Sequence, residues 1–143
     1  MDTKKFLMGT LVGGISYFFL GWLIYGMLLM GMMAEYSNPA CMRAETDMVW
    51  WAMIAGNLFF GALLTYIFLR AGNVNSFGSG ASGGAVVALL TAFAMDLMMF
   101  ATTSMMTNPM GIVMDVIAST VIGAITGVLI GIVIGRGAQA AAS

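Results

Sequence analysis

Two aspartates stand inside stretches of sequence that are otherwise apolar. Asp96 lies near the middle of 83–106, at the expected midplane, and Asp115 about one and a half turns into 110–135. An ionisable side chain in such a stretch costs at least about 2.5 kcal/mol on membrane-insertion scales, so it is by default a candidate for function. No Lys, Arg or His accompanies Asp96 at a comparable depth. Its carboxyl group must therefore be protonated, hydrated or coordinated to a cation. Asn57, near the middle of a third apolar stretch and so at a similar depth, could face it. A protonated Asp96 bonded to Asn57 or to a backbone carbonyl would be purely structural. A proton or cation site would use the same group for transport. Asp115 also fits a helix-start charge, stabilised by the helix dipole and by water. With about 1.5 Å of rise per residue, the two aspartates should differ in depth by roughly 8 Å. That makes them successive stations on a polar path rather than an acid dyad.

A second chemistry comes from sulfur. The chain holds sixteen methionines, and Met95, Met98 and Met99 lie within about one helical turn of Asp96. Thioethers are soft ligands that select Cu(I). With Cys41, these residues make a possible Cu(I)-collecting surface, although methionine is also an adaptable filler of apolar cores. No resident cofactor is expected beyond that possibility. Histidine is absent altogether, which excludes His-ligated haem, the usual zinc sites and every Ser-His or Cys-His pair. One cysteine permits no intrachain disulfide. A net charge of −1 without any basic cluster gives no field for nucleic acid.

The elements that hold these groups follow from composition. Of 143 residues 61% are hydrophobic and only 8% charged, whereas soluble domains carry about 25% charged residues. A chain with so few charges is built for lipid. A membrane-crossing helix needs about 20 apolar residues, and four stretches meet that length: 6–30, 48–69, 83–106 and 110–135. None alternates with the period of a barrel strand. The expected fold is an all-α integral membrane bundle of four transmembrane helices forming a single domain. Lys4, Lys5, Arg70 and Arg136 fall on one side of such a chain and Arg43 alone on the other. Excess Lys and Arg marks the cytoplasmic face, so both termini are expected inside a cell (inner) membrane. Trp50 and Trp51 then sit in the outer aromatic belt. The first stretch exceeds the length of a signal-peptide core and has no good cleavage site near Met32–Glu35, so it is expected to be retained.

Connections should be short. Residues 31–47 read as an outer loop with a turn at Asn38-Pro39. Residues 71–82, rich in Gly, Ser and Asn, read as a flexible inner link; no Gly-Lys-Ser/Thr follows, so they form no phosphate loop. Asn108 is placed to cap the fourth span with Pro109 at its first position. That span repeats small or polar residues every fourth position through Gly111, Asp115, Ser119, Gly123, Gly127, Gly131 and Gly135. Gly80, Gly84, Ala88, Ala92 and Asp96 form a partial counterpart on the third. Such rows let backbones approach closely, either within the bundle or between copies of it. Both aspartates lie on these rows and should face protein rather than lipid.

The run Leu20-Gly21-Trp22-Leu23-Ile24-Tyr25-Gly26 resembles one found in small four-span bacterial membrane proteins grouped as a domain of unknown function, which also carry an Asp early in the last span, where this chain has Asp115. The spacing of Trp and Tyr differs, and Met27 stands where that family has Pro. The resemblance implies the four-span topology and no activity. Three functions stay open: a small proton or cation transport or ion-binding protein centred on Asp96, a structural or accessory subunit of a larger membrane complex, and a Cu(I)-binding membrane protein. None is enzymatic.

Overall fold

A computed structural model describes residues 2–74 and 76–139, with side chains through residue 135. Helix α1 (Thr3–Leu23) starts at Asp2, whose carboxylate caps the amides of Lys4 and Lys5. It widens into a π-helical turn over Ile24–Leu28, closed by Leu29 N–H donating to the Ile24 carbonyl at 2.8 Å. The backbone bends at Leu29 and continues as the short α2 (Met30–Tyr36). Two single 3-10 turns lead to α3 (Trp50–Ala71), which ends on Gly72 in the left-handed conformation (φ 73°) that glycine adopts without penalty. Helices α4 (Phe77–Thr102) and α5 (Pro109–Gln139) follow. Among the described residues four helices are long and apolar enough to cross a membrane: Thr3–Leu28, Trp50–Ala71, Phe77–Thr102 and Pro109–Gly135. Large apolar side chains such as Trp22, Phe59, Leu90 and Ile117 point outward from them, as bilayer contact requires. The protein is a multi-pass all-helical membrane bundle.

Two antiparallel pairs make up the bundle. Helix α1 packs along α3, α4 packs along α5, and α1 against α5 joins the pairs. Glycine sets the spacing in both. Backbone atoms fill the space a Cβ would need: at Gly61 the Gly14 nitrogen and the Thr10 carbonyl oxygen, at Gly84 the Gly123 carbonyl oxygen, at Gly127 the Gly80 carbonyl oxygen. Contacts this close bring dispersion and Cα–H···O interactions into play where lipid supplies no hydrophobic drive. Around the end bearing the termini (the terminal end), Leu64, Phe68, Ile130 and Ile134 fill the gap between α3 and α5.

Three boundaries differ from the sequence expectation. Residues 77–82 are helical, because Ser76 and Ser79 form a reciprocal capping box that starts α4 early. The inner link therefore shrinks to a few residues. Helix α4 ends at Thr102, and Met105 and Met106 instead join a short pairing with the 36–38 segment. Residues 31–36, expected as loop, fall within α2. The cap of α5 matches expectation: Asn108 Oδ1 accepts from Met110 N–H at 2.9 Å, with Pro109 first in the helix.

Candidate ion site

The two helix ends just described bring the aspartates to one level. Asp96 stands six residues before Thr102, and Asp115 stands six residues after Pro109. Each is therefore about 9 Å from the same end of an antiparallel pair. The expected 8 Å offset in depth came from assigning residues 103–106 to the third span, and it disappears when that span ends at Thr102. For the same reason Asp96 is not at the middle of its helix but towards the far end, opposite the termini.

Lateral register completes the match. On the α4–α5 seam Gly84 lies against Gly123 and Gly127, and Gly80 lies against Gly127. Three further steps of four residues along α4 reach Asp96; three matching steps back along α5 reach Gly111 and Asp115. The two carboxyl groups come within hydrogen-bonding reach of each other. Two carboxylates offer only acceptors, so this contact is a hydrogen bond only when one carboxyl keeps a proton. Asp96 is 6% exposed, and its Oδ2 atom is buried without any partner. Asp115 is half-buried.

Three hydroxyls surround the pair, and sequence reading singled out none of them for this site. Ser119, one turn along α5, donates to Asp115 Oδ2 at 3.4 Å. The Tyr25 hydroxyl lies 3.0 Å from Ser119 Oγ and 3.3 Å from the Asp115 carbonyl oxygen, to which it donates. Tyr17, held by its ring against Phe60 with centroids 4.2 Å apart, brings a third hydroxyl near Ser119. Tyr25 sits in the π-helical turn, a departure from regular helix found frequently at functional sites. Above the pair, the two far-end loops tie together. Asn38 N–H donates to the Met105 carbonyl at 2.8 Å, Thr107 N–H donates to the Tyr36 carbonyl at 2.9 Å, and Tyr36 covers Gly111. The signal for Tyr25 and Ser119 was present in the Trp22-to-Gly26 run and in the small-residue row; nothing in the sequence marked Tyr17. What was missing was the fact that α1 packs on α5.

Other expected site residues lie elsewhere. Asn57 donates to the Met53 carbonyl at 2.7 Å within its own helix and lines an apolar groove between α1 and α3 with Gly14, Phe18 and Leu58. It does not face Asp96. Met95 and Met98 are 60% and 67% exposed, Met95 on the flank of α4 beside the buried Asp96 and Met98 on the opposite side, and Met99 is half-buried. The Cys41 thiol is exposed in the far-end loop, 3.6 Å from the Ser104 hydroxyl. Among the described residues no three His, Cys, Asp or Glu side chains gather in a metal-binding group. Gly123, Gly127 and Gly131 all lie against α4 or the residues that start it, and Gly135 continues their row, half-buried. The row is thus covered by a helix of the same chain.

The fold and site define a class by geometry alone: a multi-pass helical membrane bundle with an oxygen-rich acid pair buried near one end. Comparison with known families, curated proteins and solved structures finds no match.

Proposed function

We propose that this chain is a small proton-binding membrane protein that takes up and releases a proton at the Asp96–Asp115 pair and passes it between the far-end surface and the bundle interior. One observation carries the reading: a nine-tenths-buried carboxyl within hydrogen-bonding reach of a second, while the basic residues within the spans, Lys4, Lys5 and Arg70, all lie at the terminal end, away from both. A purely structural acid would be expected to have both oxygens satisfied. Here one is left without a partner, and a chain of hydroxyls runs from Tyr25 through Ser119 to Asp115. On the charge rule, the far end faces the outside of a cell membrane and the termini face the cytoplasm. The reading assigns no covalent chemistry and no resident cofactor. A subunit role resting on the α5 glycine row is less favoured, because α4 already covers that row.

Reconstitution into proteoliposomes with a trapped pH dye tests the proposal. Wild-type protein should dissipate an imposed pH gradient. Asp96→Asn and Asp115→Asn should abolish that flux while the chain still folds, since Asn keeps the shape and much of the hydrogen bonding. A wild-type chain that neither moves protons nor shows a protonated carboxyl in its infrared spectrum would sink the reading.

A further inference from the structure

The polar groups gathered at the acid pair are hard oxygen atoms. Besides the two carboxyl groups, they are the hydroxyls of Ser119 and Tyr25, with the Tyr17 hydroxyl near Ser119. Such a set suits alkali and alkaline-earth ions and is unsuited to soft metals. Independently of this clustering, Asp96 Oδ2 is a buried acceptor with nothing donating to it. We propose that the pair exchanges its proton for one monovalent alkali cation of about sodium's size, held between the Asp96 and Asp115 carboxylates with the Ser119 and Tyr25 hydroxyls beside them.

This rests on the proton-binding reading above and names what competes for the same site. The exchange balances: Asp–COOH and Asp–COO⁻ plus M⁺ give two carboxylates with M⁺ between them plus one released H⁺. The charge of the site is the same before and after, so the buried Asp96 carboxylate is never left uncompensated. Spacing favours a smaller alkali ion. Ser119 Oγ stands 3.4 Å from Asp115 Oδ2, within the about 3.3–3.7 Å that separates neighbouring ligands of an octahedral ion with metal–oxygen bonds of about 2.3–2.6 Å, and 3.0 Å from Tyr25 Oη, a hydrogen bond shorter than that range. Sodium shares that bond range with calcium. Calcium takes six to eight oxygens, whereas one oxygen from each of these four side chains makes four. Stripping water from a divalent ion also costs about four times as much as from a monovalent ion of equal radius, because the Born energy rises with the square of the charge.

The test uses the full chain purified in lightly buffered detergent solution. Additions of NaCl, KCl, CaCl₂ and choline chloride are compared at equal ionic strength, and both proton release and the infrared band of the protonated carboxyl are read. NaCl should release one proton per chain and remove the band; choline chloride should do neither. Ser119→Ala should keep the band but raise the sodium midpoint about 10-fold or more, as loss of a supporting group typically does. Asp96→Asn should lose both the band and the release. A band and proton flux that ignore every salt would overturn the exchange while leaving the proton-binding reading in place. Release by CaCl₂ at lower concentration than by NaCl would overturn the monovalent assignment. A wild-type chain with no protonated-carboxyl band and no sodium response would overturn both.

Discussion

At the terminal end of the α4–α5 seam the facing positions are glycines: Gly80 and Gly84 on one helix, Gly123, Gly127 and Gly131 on the other. At the far end the same two rows, continued in the same register, carry Asp96, Asp115 and Ser119. One half is backbone against backbone and has no room for a methyl group. The other half uses the same close approach to press polar side chains together away from water. The contrast separates what sets the distance from what uses it. The glycines bring the helices together, and the carboxyl groups meet because they stand further along the same rows. A single repeat thereby serves packing at one end and chemistry at the other.

Breaking the distance-setting half should give the largest effect. Gly84→Leu places a side chain where the Gly123 carbonyl oxygen and the Gly127 Cα already are. Backbone cannot step aside as a flexible side chain can, so the cost should reach or exceed the upper end of overpacking penalties, about 3 kcal/mol. Thermal unfolding in detergent should show a large fall in midpoint, and the infrared signature of the shared proton should vanish with it. A folded variant retaining that signature would mean that the far-end pair is assembled independently of the glycine seam.

A smaller effect should come from the polar half. Tyr25→Phe removes one hydroxyl that bonds Ser119 and the Asp115 carbonyl, and leaves the apolar ring in place. Side-chain hydrogen bonds inside membrane proteins average about 0.6 kcal/mol, so stability should fall by about that amount. The pH dependence of proton flux should shift far more than the melting temperature does, because the tyrosine anchors the group that orders Asp115. An unchanged pH profile would show that Tyr25 only packs.

Most of the architecture was legible in the sequence. The four long helices, the small-residue rows, the Asn108-Pro109 cap and the burial of Asp96 all follow from composition and spacing. The pairing of Asp96 with Asp115 was not: the sequence placed them as separate stations, and the two four-residue rows align them only once a glycine contact is fixed by the structure. It was obscured by the ends of α4. The Ser76–Ser79 capping box lies in a Gly- and Ser-rich stretch that reads as link. Met105 and Met106 are apolar enough to read as span, yet Met105 offers its carbonyl to Asn38 in the far-end loop pairing. The π-helical turn at Ile24–Leu28 has no distinctive composition, because a wider turn is made by the same apolar residues as a regular one. Without it and the α1–α5 contact, nothing local marked Tyr17 and Tyr25 as neighbours of Ser119. Asn57 misled in the opposite direction: equal depth on α3 suggested an encounter with Asp96, whereas α3 makes only slight contact with α4.

The smallest expected effect sharpens the comparison by testing a glycine outside both halves. Gly56 is in the interior of α3, exposed, with nothing within 4 Å of the position a Cβ would take. No approach of another backbone depends on it, and the local conformation is an ordinary helix. Alanine at such a position removes conformational freedom from the unfolded chain, which in helices stabilises by roughly 0.5–1 kcal/mol. Gly56→Ala should therefore raise the unfolding midpoint slightly and leave proton flux unchanged. A Gly61→Ala variant, five residues along the same helix, should instead destabilise, because its Cβ would meet the Gly14 nitrogen at 2.5 Å and the Thr10 carbonyl oxygen at 2.7 Å. Opposite signs for the two substitutions would tie the role of glycine in this bundle to close approach of neighbouring backbones. If Gly56→Ala destabilises as much as Gly61→Ala, then Gly56 must meet a surface beyond the single chain, and oligomer size in detergent would be the next quantity to measure.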